Sequence, residues 1–173
     1  GEQMAIEFLI VSQGMERITA PFVRNLQQIG IDASMRLVDT SQYQVRLDDF
    51  DYDMVSVALN FFPPQGAEQR SYWGSAAADV RGSANIAGIT NPAVDALIEK
   101  VIAAEDLETL KAANRAMDRV LLWNYYTVPM YFNDEDWLAY WNKFGFPETR
   151  AKYSVGFPAS WWVDDTLAAQ LNQ

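Results

Sequence analysis

The most constraining feature of the sequence is a repeated alternation of short apolar runs and helical periodicity in its first third. Ile6-Glu7-Phe8-Leu9-Ile10-Val11 is a nearly continuous apolar run of strand length, the pattern of a strand covered on both faces. Ser12-Gln13-Gly14 breaks it, and Ile18, Phe22, Leu26 and Ile29 then recur at helical spacing. Gly30 stands where a left-handed helix cap belongs. Pro21 fits that helix if Thr19 is its N-cap, and otherwise kinks it. Ile31, Ala33, Met35 and Leu37 alternate with polar residues, as in a strand with one wet face near a sheet edge. Asp39-Thr40-Ser41 offers N-caps for a second helix carrying Tyr43, Leu47 and Phe50, and 52–59 reads as a third strand. Two successive strand–helix–strand units predict an α/β fold with a mostly parallel sheet flanked by helices.

From Asn60 to Thr90 the periodicity stops. Loops beyond about 12–15 residues are uncommon in compact domains unless they are functional or disordered. Phe61, Phe62, Tyr72 and Trp73 speak against disorder. Asn91-Pro92 then opens a helix with the apolar stripe Val94, Leu97, Ile98, Val101 and Ile102. Asp106 caps another, facing inward with Leu110, Ala113, Met117, Val120 and Leu121. Residues 128–132 read as a short strand and 137–141 as a possible further one. The remainder, with Pro147, Pro158 and Trp161-Trp162, reads as an extended wrap ending in a short helix near Leu167 and Leu171.

Absent residue types narrow the chemistry. With no Cys and no His, the chain has no thiolate nucleophile, no Cys-ligated zinc, no Ser-His-Asp triad and no imidazole base. A net charge of −10 disfavours nucleic acid as a partner. Only carboxylates could support an enzyme. Asp48-Asp49 with Asp51 and Asp53, and Asp134-Glu135-Asp136, both sit beside solvent-facing turns where Asp caps and solubilises. Neither has the calcium-loop spacing. The expectation is therefore no catalytic residue, no metal and no cofactor. A carboxylate-dependent hydrolase and an effector-sensing domain of a regulator stand as the alternative classes. Arg115, Asp118 and Arg119 suggest a structural ion network on one helical turn.

Ligands of open parallel sheets bind beyond the carboxyl ends of the strands. This makes the long loop the candidate binding surface, with Asn60, Phe61, Phe62, Glu68, Arg70 and Trp73 offering charge, amide and aromatic area. Gly82-Ser83-Ala84-Asn85 and Gly88 read as turn formers or as an anion nest, with Asn85 a further candidate contact.

The order of segments resembles the C-terminal lobe of family 5 extracellular solute-binding proteins, the peptide and nickel receptors of ATP-driven importers, closest to the peptide and microcin C branch. The resemblance rests on Glu16-Arg17-Ile18, Pro21-Phe22, Ile29-Gly30-Ile31, Phe50-Asp51-Tyr52-Asp53-Met54, Glu68-Gln69-Arg70, Trp73-Gly74-Ser75, Gly82-Ser83-Ala84-Asn85, Gly88-Ile89, the run Asn91 to Ile98, the run Arg115 to Leu121, Val128-Pro129 and Leu138-Ala139-Tyr140-Trp141. It implies a type II periplasmic-binding-protein lobe over 1–133 and a return segment over 134–173 directed at the hinge and a missing N-terminal lobe. It also implies a peptide-like ligand, an inner-membrane ABC permease as partner, and a periplasmic location (extracellular and membrane-associated in a Gram-positive host). The abrupt start at Gly1 fits a piece of a longer protein, and Trp161-Trp162 an interlobe contact. Known oligopeptide receptors carry an Asp just after the third strand for the peptide amine. Asn60-Phe61-Phe62-Pro63-Pro64 has no acid, so a counter-charge comes from Glu68, from the missing lobe or from nowhere; Glu68 is the one expected, with Arg70 to meet a ligand carboxylate or pair with Glu68.

Overall fold

The computed structural model describes residues 2–59, 66–132, 135, 137–149, 152 and 154–171. Two compact units divide the chain, Gly1–Val128 and Pro129–Gln173.

In the first unit, β1 (Ala5–Ile10), α1 (Gln13–Gln28), β2 (Asp32–Leu37), α2 (Thr40–Asp48) and β3 (Met54–Val55) form a three-stranded parallel sheet in the order β2-β1-β3. The most apolar strand takes the centre, where Phe8, Leu9 and Ile10 are buried. In β2 the alternation survives only in part: Ala33 is buried and Met35 half-buried, but Leu37 is exposed at the strand end. α1 begins earlier than predicted, because Ser12 rather than Thr19 is its N-cap, accepting from the Met15 N–H. Pro21 therefore lies inside the helix, which runs on without the hydrogen bond a proline cannot donate. The buried line is Thr19 and Val23 flanked by Phe22 and Leu26, whereas Ile18 and Ile29 face water. Phe22 meets Phe8 edge-on, with ring centroids 5.6 Å apart.

Both helix ends of this half close in the same way. After α1, Gly30 (φ +89°) donates to the Gln27 carbonyl and Ile31 to that of Leu26, the paired bonds of a Schellman cap. After α2, Phe50 occupies the equivalent left-handed position (φ +55°), with Phe50 N–H on Leu47 and Asp51 N–H on Arg46. Phe50 thus belongs to the cap and not to the helical face predicted for it.

The third strand is far shorter than 52–59. Only Met54 and Val55 pair with β1, opposite Phe8 and Leu9. Side chains take the neighbouring backbone groups: Asp53 accepts from the Glu7 N–H at 2.9 Å, and the Tyr43 hydroxyl donates to the Ser56 carbonyl at 3.1 Å.

The rest of the first unit is α3 (Gln69–Trp73), a single 3₁₀ turn (Ser75–Ala77), α4 (Pro92–Ile102) and α5 (Leu107–Trp123). Asn91 and Asp106 cap α4 and α5 as the sequence predicts. Ile89, Val94, Ile98, Val101, Ala113 and Met117 form a second core, with Trp73 packed against it.

The second unit contains a two-residue hairpin, β4 (Phe144–Gly145) paired antiparallel with β5 (Trp162–Val163), and α6 (Asp165–Gln170), capped by Asp164. No strand forms among the described residues of 128–132 or 137–141, and Tyr131, Phe132, Trp137 and Trp141 are exposed. Residues predicted as strands have no partner strand there, so their pattern is unused. Trp161 instead gathers Tyr140, Phe144, Phe146 and Phe157 around itself, with centroids 4.7–6.3 Å away.

Candidate ligand-binding rim

The parallel strands end together, at Ile10, Leu37 and Val55. Beyond those ends lie the Ser12 cap of α1, the Asp39 cap of α2 and the chain leaving β3 through Ser56. Asp39 accepts from the N–H groups of Ser41 and Gln42 at 2.9 and 3.0 Å. The Tyr43 hydroxyl, its pKa raised by burial, ties α2 to the departing chain at Ser56. This edge is polar and carries two helix N-termini, the surroundings in which doubly wound sheets take ligands. Asn60, Phe61 and Phe62, the candidates expected beside it, lie outside the described residues.

The remaining candidates are tied into the first unit by contacts of their own. A side-chain chain runs from Glu68 to the second core: its Oε1 accepts from the Gly66 N–H at 2.7 Å and from the Gln69 amide at 3.2 Å. Gln69 Oε1 in turn accepts from the Trp73 indole at 3.0 Å. Burial opposes the charge on Glu68, but hydrogen bonds from the backbone of Gly66, its own N–H and Gln69 outweigh that and lower its pKa. Arg70 does not pair with Glu68. Its guanidinium makes a two-pronged contact with Glu99 on α4, at 2.8 and 2.7 Å. The hydrogen bonds and charge of that contact raise the Arg70 pKa and lower that of Glu99.

Asn85 is fully buried. Its amide donates to the Gly74 and Ile89 carbonyls and accepts from the Ile89 N–H, all within 3.0 Å. It therefore fastens the loop to itself, with no surface left for a ligand in this arrangement. Gly82 and Gly88 adopt φ of +73° and +60° and are turn formers. The Gly82 N–H meets the Asp48 carbonyl, Arg81 pairs with Asp49 and the Tyr52 hydroxyl donates to Ile86. Those contacts lie at the C-terminus of α2 and just before β3, where the strands begin. The stretch around 81–86 is thus folded away from the strand tips, while the chain at Ser56 leaves along the rim.

Sequence reading missed the residues that hold this loop down. Ser75 donates through both N–H and hydroxyl to Asp95 at 2.8 and 2.6 Å, and Glu99 takes Arg70 one turn later. Asp95 and Glu99, four residues apart on α4, and Gln69 and Trp73, four apart on α3, are the available signals: polar groups at one-turn spacing on a packed face.

The acidic run is fully engaged in structure. Asp48 accepts from Gln44, Asp49 pairs with Arg81, Asp51 with Arg46 at 2.6 Å, and Asp53 holds the Glu7 backbone. Among the described residues, Glu68, Glu99 and Asp106 have lowered carboxyl pKa values, opposite to what a general acid needs. Asp134 and Asp136 lie outside the described residues. Among the described residues there is no cluster of three or more metal-ligating side chains, and Arg115 and Arg119 form no ion pair with Asp118.

No protein-family profile matches the chain. Its fold does match solved structures. A periplasmic oligopeptide-binding protein of an ABC transporter from Thermotoga maritima superimposes with a TM-score of 0.65 at 16% identity, over 77% of this chain and 26% of its own. NikZ from Campylobacter jejuni, solved with Ni(L-His), gives 0.60 at 12% identity over 71% and 25%. The chain has the α/β fold of a lobe of these periplasmic binding proteins. Its curated sequence relatives include two proteins named YejA. The probable peptide-binding protein YejA of Agrobacterium fabrum is 51% identical over 162 residues, 94% of this chain and 26% of that protein. YejA of Escherichia coli is 37% identical over 172 residues, 99% of this chain and 28% of that protein. The chain thus spans about a quarter of the length of the curated relatives it matches.

Proposed function

We propose that this chain forms part of the solute-capturing component of an ATP-driven peptide importer and is not an enzyme. The observation that carries the reading is 51% identity, across 94% of the chain, to a protein named for probable peptide binding. The fold alone would not choose the ligand, since neighbours of the same architecture hold a nonapeptide, mannohexaose and Ni(L-His). Residues 1–133 serve as one wall of a cleft and 134–173 as the return segment toward a second lobe. Ligand touching both walls favours the closed state by its differential affinity. A peptide-like solute is then passed to an inner-membrane permease, from the periplasm or, in a Gram-positive host, the cell exterior. No described helix is long and apolar enough to cross a membrane.

In this reading Asn60, Phe61 and Phe62 contact the ligand, and Glu68, held ionised, supplies the counter-charge for a peptide amine. Arg70 reaches a ligand carboxylate by exchanging it for Glu99. Trp73 and Asn85 position the loop without touching the ligand. Calorimetric titration of peptides tests the proposal. A chimera in which this chain replaces the matching quarter of the Agrobacterium fabrum relative should bind, and the 173-residue chain alone should bind weakly or not at all. Tight binding by the chain alone would refute the two-walled cleft. Unchanged preference for free over acetylated amino termini in a Glu68→Gln chimera would remove Glu68 from the site.

A further inference from the structure

Among the described residues three polar side chains are buried: Thr19, Gln69 and Asn85. Asn85 fastens the loop, whereas Gln69, at 2% exposure, stands next to an exposed acid, Glu68. Burying a long amide side chain costs rotamer freedom and hydration, so its partners need a reason. Its two ends meet different groups. The Oε1 accepts from the Trp73 indole at 3.0 Å, and the Nε2 donates to Glu68 Oε1 at 3.2 Å. An indole N–H donates and never accepts, so it decides which end of the amide turns toward it. The donor end is thereby directed at Glu68, where an ionised carboxylate is a pure acceptor. The polarity of this relay is therefore set by Trp73, whose ring packs against the second core.

Glu68 takes part in no ion pair among the described residues. Arg70, the cation nearest to it in sequence, is engaged by Glu99. The donors on Glu68 Oε1 are neutral, the Gly66 N–H at 2.7 Å and the Gln69 amide. Such donors hold a carboxylate in place without cancelling its charge. We propose that Gln69 is a positioning residue for ligand recognition: locked by Trp73, it presents the Glu68 carboxylate as a fixed acceptor to a cationic ligand group, the amino terminus of a peptide. This rests on Glu68 being the amine counter-charge and adds which residue aims it. Gln69 is too deeply buried to touch the ligand itself.

Two readouts test the proposal, one of them without ligand. In the 173-residue chain, the Glu68 carboxyl carbon resonance is followed through an acid titration. Gln69→Met keeps the side-chain length and removes both hydrogen bonds. It should move the Glu68 midpoint up toward the ordinary glutamate value of 4.5. Trp73→Phe, which unlocks the amide but keeps an aromatic ring in the core, should move it the same way by less. In the chimera, calorimetry should show Gln69→Met weakening free-amine peptides about five-fold, as for one lost hydrogen bond, and leaving acetylated peptides unchanged. An unmoved midpoint in Gln69→Met overturns the inference. Equal losses for free and acetylated peptides also overturn it, because the residue is then structural only. Glu68→Gln separates the two readings. If it abolishes the amine preference while Gln69→Met leaves that preference intact, the positioning role falls and the counter-charge stands. If Glu68→Gln leaves the preference intact, the counter-charge falls and the positioning role with it. Should Gln69→Met not fold, Trp73→Phe carries both readouts under the same criteria.

Discussion

The two units of this chain have similar proportions of apolar residues and use them in opposite ways. In Gly1–Val128, two clusters bury Phe8, Val23 and Ala33 on one side and Ile89, Val94, Ile98 and Met117 on the other, each served by capped helices. In Pro129–Gln173 the aromatics cluster around a half-buried Trp161 while Tyr131, Phe132, Trp137 and Trp141 face water. Burial depends on what an apolar residue can pack against, and periodicity is what arranges such neighbours in advance. The first unit has it; the second has hydrophobicity without period.

Substitutions can break that contrast, beginning with the largest effect. Ile98→Ala, at 1% exposure in the α4–α5 core, should cost about 2–5 kcal/mol in urea unfolding followed by the helix signal. Asn85→Ala should cost about 2–3 kcal/mol in the same measurement, because it strands buried carbonyls of Gly74 and Ile89 and the Ile89 N–H. An effect below half a kilocalorie would mean that water replaces the amide and that the loop is not fastened there.

Acid should weaken the first unit. Glu68, Glu99 and Asp106 have folded pKa values below their ordinary ones, so their contribution is present above the ordinary carboxylate range. It fades as pH falls from the ordinary glutamate value of 4.5 through the lowered ones. Thermal melts of Glu68→Gln should show a shallower loss between neutral and acid pH than the parent chain. A parallel pair of curves would contradict the assignment.

Smaller effects probe the ends of the units. Tyr125, at φ +57° and 79% exposed just after α5, should gain about 0.5–1 kcal/mol on replacement by Gly, since left-handed strain is relieved and little packing is lost. In Pro129–Gln173, Trp137→Ser should change the unfolding free energy of this chain by less than about 0.5 kcal/mol, despite the size of the side chain removed. A large loss there would show that the exposed aromatics support a core and would erase the contrast.

The sequence by itself determined the elements whose signals are local: the apolar run of β1, the Schellman glycine at 30, the caps Asn91 and Asp106, and the stripes of α4 and α5. Each rests on a residue's own backbone preference or on neighbours one turn away, which a linear reading contains. The two strand–helix–strand units also predicted the parallel pairing, and the resemblance, carried by many short matches in sequence, predicted the lobe fold. Tertiary structure alone decided that Ser12 starts α1 and Pro21 sits inside it, that β3 shrinks to two residues, and that 128–132 forms no strand among its described residues. It also turned Arg70 to Glu99, and made Asn85 and the Asp48–Asp53 run structural fasteners. In those cases a side chain competes with a distant backbone group or charge for the same hydrogen bond. The winner is set by which partners the folded chain brings within about 3 Å, and spacing along the sequence holds no record of that distance.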